Sequence, residues 1–215
     1  MIRIVLFIGV LGILSCNGGC NSGGSIDYSN VTHENFVPPK PKETYGQNVN
    51  IDELVASRGG RIIQYACSLV STNVVAEALG MNNDQIKQSN ATPAAENPVQ
   101  SACFYKWEDF DLPNSGIFIQ IIRNPLGDEY PDYISKYVES YRLQGEQGVD
   151  EQPVFFKKFE GFGDDGSYST EAGKYFWRLG EKVSFLVAFN TTHNPAKQYE
   201  IATAVAKELT LNYLK

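Results

Sequence analysis

Gly161-Phe162-Gly163-Asp164-Asp165-Gly166 reproduces the G-x-G-x-x-G spacing that lets backbone amides approach a pyrophosphate in dinucleotide-binding units. That chemistry needs a strand before the glycines and a helix opening after them. A strand-like run, Val154 to Phe159, does precede the motif, but another strand-like stretch follows it, and two aspartates would repel a pyrophosphate. The pattern instead predicts a tight inter-strand turn with glycine at positive φ. Asp164 and Asp165 are candidate calcium ligands, yet the ligand set of an EF-hand loop is missing around them.

The remaining candidates for catalysis are sparse. The two histidines are His33 and His193, and a zinc site needs three or four convergent ligands. A Ser-His-Asp arrangement would have to use His193, and no G-x-S-x-G nucleophile turn occurs. Asp109, Asp111, Glu129 and Glu160 fall near strand ends, where paired carboxylates can serve glycoside hydrolysis, but where acidic residues more often form a solvated face. We expect no catalytic residue, no metal and no cofactor. Two aromatic clusters are the positive sign of binding: Phe104, Tyr105, Trp107 and Phe110, and Tyr168, Tyr175, Phe176 and Trp177. If alternate members point outward, Tyr105, Trp107, Tyr168 and Trp177 form a surface for a protein or glycan; the competing reading places them in the core.

Cysteine usage and the N-terminus bear on location. Arg3, the apolar run Ile4 to Leu14, and Ser15 before Cys16 make an export signal that is removed and is not part of the fold. The run is shorter than the roughly 20 residues a membrane-spanning helix needs. The Ile13-Leu14-Ser15-Cys16 segment resembles a bacterial lipobox. That resemblance implies cleavage after residue 15, lipid on Cys16, and a protein facing the periplasm or cell surface; Asn17, not Asp, points by the same resemblance to the outer membrane. An exported location permits disulfides. Cys67 and Cys103 are the natural pair, two buried free thiols being the alternative, and Cys20 is left over. Residues 16–50, with NGGCNSGGS after Cys16 and Pro38, Pro39 and Pro41 beyond, read as a flexible tether. Residues 51–215 then make one domain. The net charge of −7 excludes nucleic acid and charge-driven binding to anionic lipid.

Within that domain the patterning predicts helix, strand, strand, helix, three strands, helix. Ser71 caps a short helix that Gly80 ends, and Gly116 to Arg123 reads as a strand. Tyr133, Ile134, Tyr137, Val138 and Tyr141 mark one face of a helix, a stripe better suited to packing than to ligand. Tyr175–Leu179 and Val183–Phe189 form a hairpin. Asn194 and Pro195 open the last helix. Residues 81–100 read as loop. The fold class is α+β, an antiparallel sheet with flanking helices.

Three local patterns, in order, resemble the DUF3558/LpqN-type exported lipoproteins: Cys67-Ser68-Leu69 with Val74 to Gly80, Cys103 to Trp107, and Phe162-Gly163-Asp164 followed by Tyr168. The resemblance covers about residues 62–214. It departs at Gly166-Ser167, where the family has a small apolar residue before its aromatic. It implies a Mog1/PsbP-like α/β/α arrangement and a helper or binding role, and carries over no catalytic residue. The expectation is a lipid-anchored binding or accessory protein of the cell envelope. The alternative is a periplasmic immunity or inhibitor protein against a secreted toxin or hydrolase.

Overall fold

In the computed structural model the described residues are 31–60, 64–92, 99–127, 129–148 and 151–215. The leader, Cys16, Cys20 and residues 16–30 of the expected tether lie outside them. In chain order the elements are α1 (Ile51–Ser57), α2 (Ala66–Leu69), α3 (Thr72–Leu79), β1 (Lys87–Asn90), β2 (Gln100–Lys106), β3 (Gly116–Arg123), α4 (Tyr133–Leu143), β4 (Glu146–Gln147), β5 (Pro153–Val154), β6 (Lys157–Lys158), β7 (Asp165–Ser169), β8 (Lys174–Leu179), β9 (Val183–Asn190) and α5 (Pro195–Leu214). Seven strands form one sheet in the order β1-β2-β3-β9-β8-β7-β6. Every pairing in it is antiparallel. The chain is thus α+β, a seven-stranded antiparallel sheet with helices against both faces.

The two faces follow from period-two alternation. Ile117, Ile119 and Ile121 of β3, Tyr175, Trp177 and Leu179 of β8, and Val183, Phe185 and Val187 of β9 point one way and are buried. Helix α5 covers them. The Trp177 indole donates to Thr210 Oγ1 at 3.0 Å, and Phe185 meets Tyr213 edge-on with centroids 5.1 Å apart. Phe176 and Leu186 point the other way, onto Val138 of α4. The tyrosine stripe of α4 is packing: the Tyr141 ring stacks on Phe176 at 4.2 Å and Tyr137 meets the same ring edge-on. Arg142 then bolts α4 to β7. Its guanidinium donates to both carboxylate oxygens of Asp165, at 3.0 and 2.6 Å, and to the Gly166 carbonyl and the Ser167 hydroxyl.

Local signals hold at the helix ends. The Ser71 hydroxyl accepts from the Val74 amide, and Gly80 closes α3 at φ +71°. The Asn194 carboxamide oxygen accepts from the Lys197 amide at 2.9 Å, with Pro195 in the first turn of α5. Cys67 of α2 and Cys103 of β2 are joined by a disulfide. Beside it the buried Tyr105 hydroxyl donates to the Val70 carbonyl at 2.6 Å and accepts from Gln88. No helix among the described residues is long and apolar enough to cross a membrane.

Three expectations need correction. Residues 81–100, read as loop, contain β1, an edge strand whose four residues Lys-Gln-Ser-Asn are all exposed and therefore show no apolar alternation. The expected strand Val154–Phe159 is broken into β5 and β6, and the Asp-Gly-Ser-Tyr-Ser run read partly as turn is β7. Gly166 is needed in that strand because a Cβ there would lie 2.7 Å from the carbonyl oxygens of both Phe159 and Phe176. Finally, the flexible tether does not reach residue 50. Phe36 is only 7% exposed, with its ring 5.5 Å from that of Tyr199 on α5. Residues 31–50 are a strap laid on the domain, because two aromatics among the prolines have apolar surface to bury.

Candidate binding groove

The strap is held at two places. Towards its start, Phe36 packs on Tyr199 and its carbonyl accepts from the Lys157 ammonium at 3.3 Å. Towards its end, the Tyr45 amide donates to the Gly161 carbonyl at 2.9 Å and the Gly163 amide donates to the Tyr45 carbonyl at 2.7 Å. Tyr45 also stacks on Phe162 at 5.7 Å, and the Asn48 amide donates to Asp164 Oδ1 at 3.0 Å. The second oxygen of Asp164 accepts from the Gly180 amide at 2.7 Å. The glycine-rich turn is therefore the dock for the strap. Gly163 sits at φ +57°, and a Cβ on it would come within 1.9 Å of the Arg178 carbonyl oxygen, so only glycine fits. Asp165 is spent on Arg142.

Between these two attachments the strap stands off helix α5 and leaves a groove of about 800 Å³. Such a volume is in the range of small-molecule sites. Its floor is Phe36, Phe162, Tyr199 and Ala196. One wall is the strap from Val37 to Glu43, and the other is the α5 stripe Glu200, Thr203, Ala204 and Lys207. Burial pushes the Tyr199 hydroxyl up to about 12, and the Glu160 charge adds to this, so the floor carries no anion at neutral pH. The Lys207 ammonium lies 5.2 Å from the centroid of the Tyr45 ring. Glu43 accepts from the Tyr45 hydroxyl, and Glu200 pairs with Lys197 at 3.0 Å. The groove has an apolar floor and a charged lip.

The residues expected to present an aromatic surface do not. Tyr105 and Trp177 are fully buried, Tyr168 is 2% exposed and Trp107 7%. Register is the reason: Tyr105 pairs with Ile117, and Trp177 with Phe185, on the face that the helices cover. The alternate residue Phe176 points to the opposite face, but α4 lies there. Of the two clusters, Phe110 alone is fully exposed. Cys67 and Cys103 are brought together as expected. The other candidates are dispersed. His33 Nδ1 lies 3.0 Å from Thr170 Oγ1. His193 is held below its ordinary pKa by burial and then by Lys197, with Asp109 opposing. Asp109 accepts from the Asp111 amide in a turn of its own, and Glu160 borders the groove. Among the described residues no group of three or more His, Cys, Asp or Glu could hold a metal ion. Sequence reasoning missed the groove because Phe36 and Tyr45 were absorbed into a polar, proline-rich stretch; aromatics bracketing prolines were the available signal.

No family model, no curated protein and no solved structure matches the chain.

Proposed function

We propose that this chain is an exported binding protein of the cell envelope, held to a membrane by lipid on Cys16, without catalytic activity, and that its ligand seat is the groove between the strap and α5. The groove is the observation that carries the binding half of this reading: about 800 Å³ beside aromatic side chains, between α5 and a strap that is anchored at its two ends. The oxidised Cys67–Cys103 pair supports export, since such bonds persist in oxidising compartments. The N-terminal signal supports lipid attachment. Kinship with the DUF3558/LpqN-type lipoproteins is part of the same proposal and rests on the order of the three quoted motifs.

Two measurements test it. Expressed with its own leader in a bacterial host, the chain is expected to sediment with membranes, to begin at Cys16 and to carry a diacylglyceryl mass, while Cys16→Ser remains unprocessed. Purified natively and extracted with organic solvent, it is expected to release a small molecule that Ala204→Trp, which fills the groove, does not retain. An intact leader without acyl adduct refutes the anchoring, and identical extracts from the two proteins refute the seat.

A further inference from the structure

We propose that the groove seats a single hydrocarbon chain whose acidic head lies against the lysines of the strap; this rests on the groove being the binding seat. The first argument is length. The α5 stripe from Ala196 to Lys207 spans 12 residues, about 16 Å at 1.5 Å per step, alongside the strap from Phe36 to Tyr45. That makes a slot and not a bowl.

The second argument is the shortage of hydrogen-bonding groups. Pro38, Pro39 and Pro41 have no N–H to offer. Apart from Ala196 in the first turn, the stretch of α5 along the groove has its backbone amides bonded to carbonyls four residues back. The Thr203 hydroxyl donates to the Glu200 carbonyl, and the Tyr45 hydroxyl to Glu43. A peptide seated here would find backbone partners on the strap alone, at Val37, Lys40, Lys42 and Glu43, and would leave its groups facing α5 unpaired, at a cost for each. A hydrocarbon chain has no such groups.

Charge at the lip is the third argument. Glu43 is engaged by Tyr45 and Glu200 by Lys197. Lys40 and Lys42 are exposed, with no acidic partner within ion-pair distance among the described residues, and Lys207 meets Tyr45 by ring contact and hydrogen bond and is stabilised as a cation by the nearby Glu43 charge. Among the described residues Glu160 is the lining carboxylate not already hydrogen-bonded or ion-paired. On the strap, Lys40 and Lys42 stand against the single carboxylate Glu43 and make that stretch of the lip cationic, while the other charged lining residues are Lys207, Glu160 and Glu200. A fatty acid and a monoacyl phospholipid share the required chemistry.

The test uses residues 17–215, which hold every described element. Cis-parinaric acid is titrated in, then displaced by dodecanoate, by its methyl ester and by a monoacyl phosphatidylglycerol. The expected result is saturable 1:1 binding, weakened at least tenfold by Ala204→Trp or, as a second block, Thr203→Trp, each retaining the disulfide and the parent unfolding midpoint. Lys40→Glu with Lys42→Glu is expected to weaken dodecanoate about tenfold and leave the methyl ester within twofold. Displacement by dodecanoate alone assigns the free acid; displacement by the phospholipid as well assigns the broader class. The proposal is overturned if binding is not saturable, if both groove blocks bind as the parent does, or if acid and ester respond alike to the lysine changes. A different small molecule released natively by the parent and not by Ala204→Trp would overturn the hydrocarbon assignment while leaving the seat itself intact.

Discussion

Substituting Phe36 by Ala is expected to free the strap while the sheet stays folded. Phe36 is 93% buried against Tyr199, and removing a buried Phe costs about 3–5 kcal/mol in a rigid core. The strap can relax, so the lower figure applies, about 3 kcal/mol, or a roughly hundredfold rise in the open population at about 1.4 kcal/mol per decade. Against this, each ordered strap residue costs about 1–2 kcal/mol of backbone entropy. The contacts that offset that cost are Phe36 with the Lys157 bond to its carbonyl, the His33–Thr170 bond, Val31 and Val49 on the core, Tyr45 with Phe162 and Lys207, two backbone hydrogen bonds at the glycine turn and the Asn48–Asp164 bond. The attachment therefore has little in reserve. Trypsin reads the open state, cutting after Lys42 and not at Lys40-Pro41. Under conditions where reclosing outpaces cleavage, the Lys42 cut is expected to accelerate by about two decades. The thermal midpoint should fall less than for a core Phe, because the sheet does not depend on the strap. An unchanged rate at Lys42, or simultaneous cutting throughout the chain, would refute the claim that residues 31–50 form a separately opening layer.

Other perturbations test the frame. Reducing Cys67–Cys103, which are 36 residues apart, is expected to lower unfolding stability by about 4 kcal/mol in the chain-entropy model, seen as a lower urea midpoint with dithiothreitol. Arg142→Ala is expected to cost about 2–3 kcal/mol, below the range for a fully buried pair because both side chains keep about a fifth of their surface exposed. Burial pushes the Asp165 carboxyl up, and Arg142 more than offsets it, leaving the pKa depressed. Its stabilising contribution is therefore complete above the unfolded value of about 3.9 and disappears as pH falls through the folded value, so Arg142→Ala should flatten the acid limb of stability against pH in urea titrations. Tyr105→Phe removes the donor to Val70 and the acceptor for Gln88 and should lose about 1–2 kcal/mol, measured by the same titration.

What the sequence revealed of the fold was whatever an apolar repeat or a cap residue declares. Gly116–Arg123 carries Ile at every second position from 117 to 121 and was legible to its ends; so were the Leu179–Val183 hairpin around Gly180 and the start of α5 at Asn194-Pro195. Strands without a buried repeat were not legible. β1 is held by backbone pairing at an edge, and β7 begins Asp-Gly-Ser, residues that ordinarily make turns. In β7 the Asp is fixed by Arg142 from another element, and the Gly is demanded by two carbonyl oxygens, that of Phe159 just after β6 and that of Phe176 in β8. Neither partner is adjacent in the chain, so no local window contains the reason.

The same separation hid the groove and made other residues look chemical. Phe162, Gly163 and Asp164 carry the spacing of a phosphate loop, yet each is used to receive the strap: Phe162 beneath Tyr45, the Gly163 amide on the Tyr45 carbonyl, and Asp164 between the Asn48 and Gly180 amides. Tyr105, Trp107, Tyr168 and Trp177 are spent on the core. Beside the aromatic floor, the side chains that line the concave surface once the strap is docked are a valine, prolines, two alanines, a threonine, lysines and glutamates, which no motif joins together. A cavity of this kind is set by the spacing between two elements and not by any residue in either. It follows that substitutions at Gly163 should abolish the groove without touching its lining, because a Cβ at 1.9 Å from the Arg178 oxygen moves the turn that fixes one end of the strap. Gly163→Ala should therefore reproduce the trypsin sensitivity of Phe36→Ala at Lys42, from more than 120 residues away in the chain. Protection of Lys42 in that variant would mean that Phe36 alone holds the strap, and that the glycine turn is not its dock.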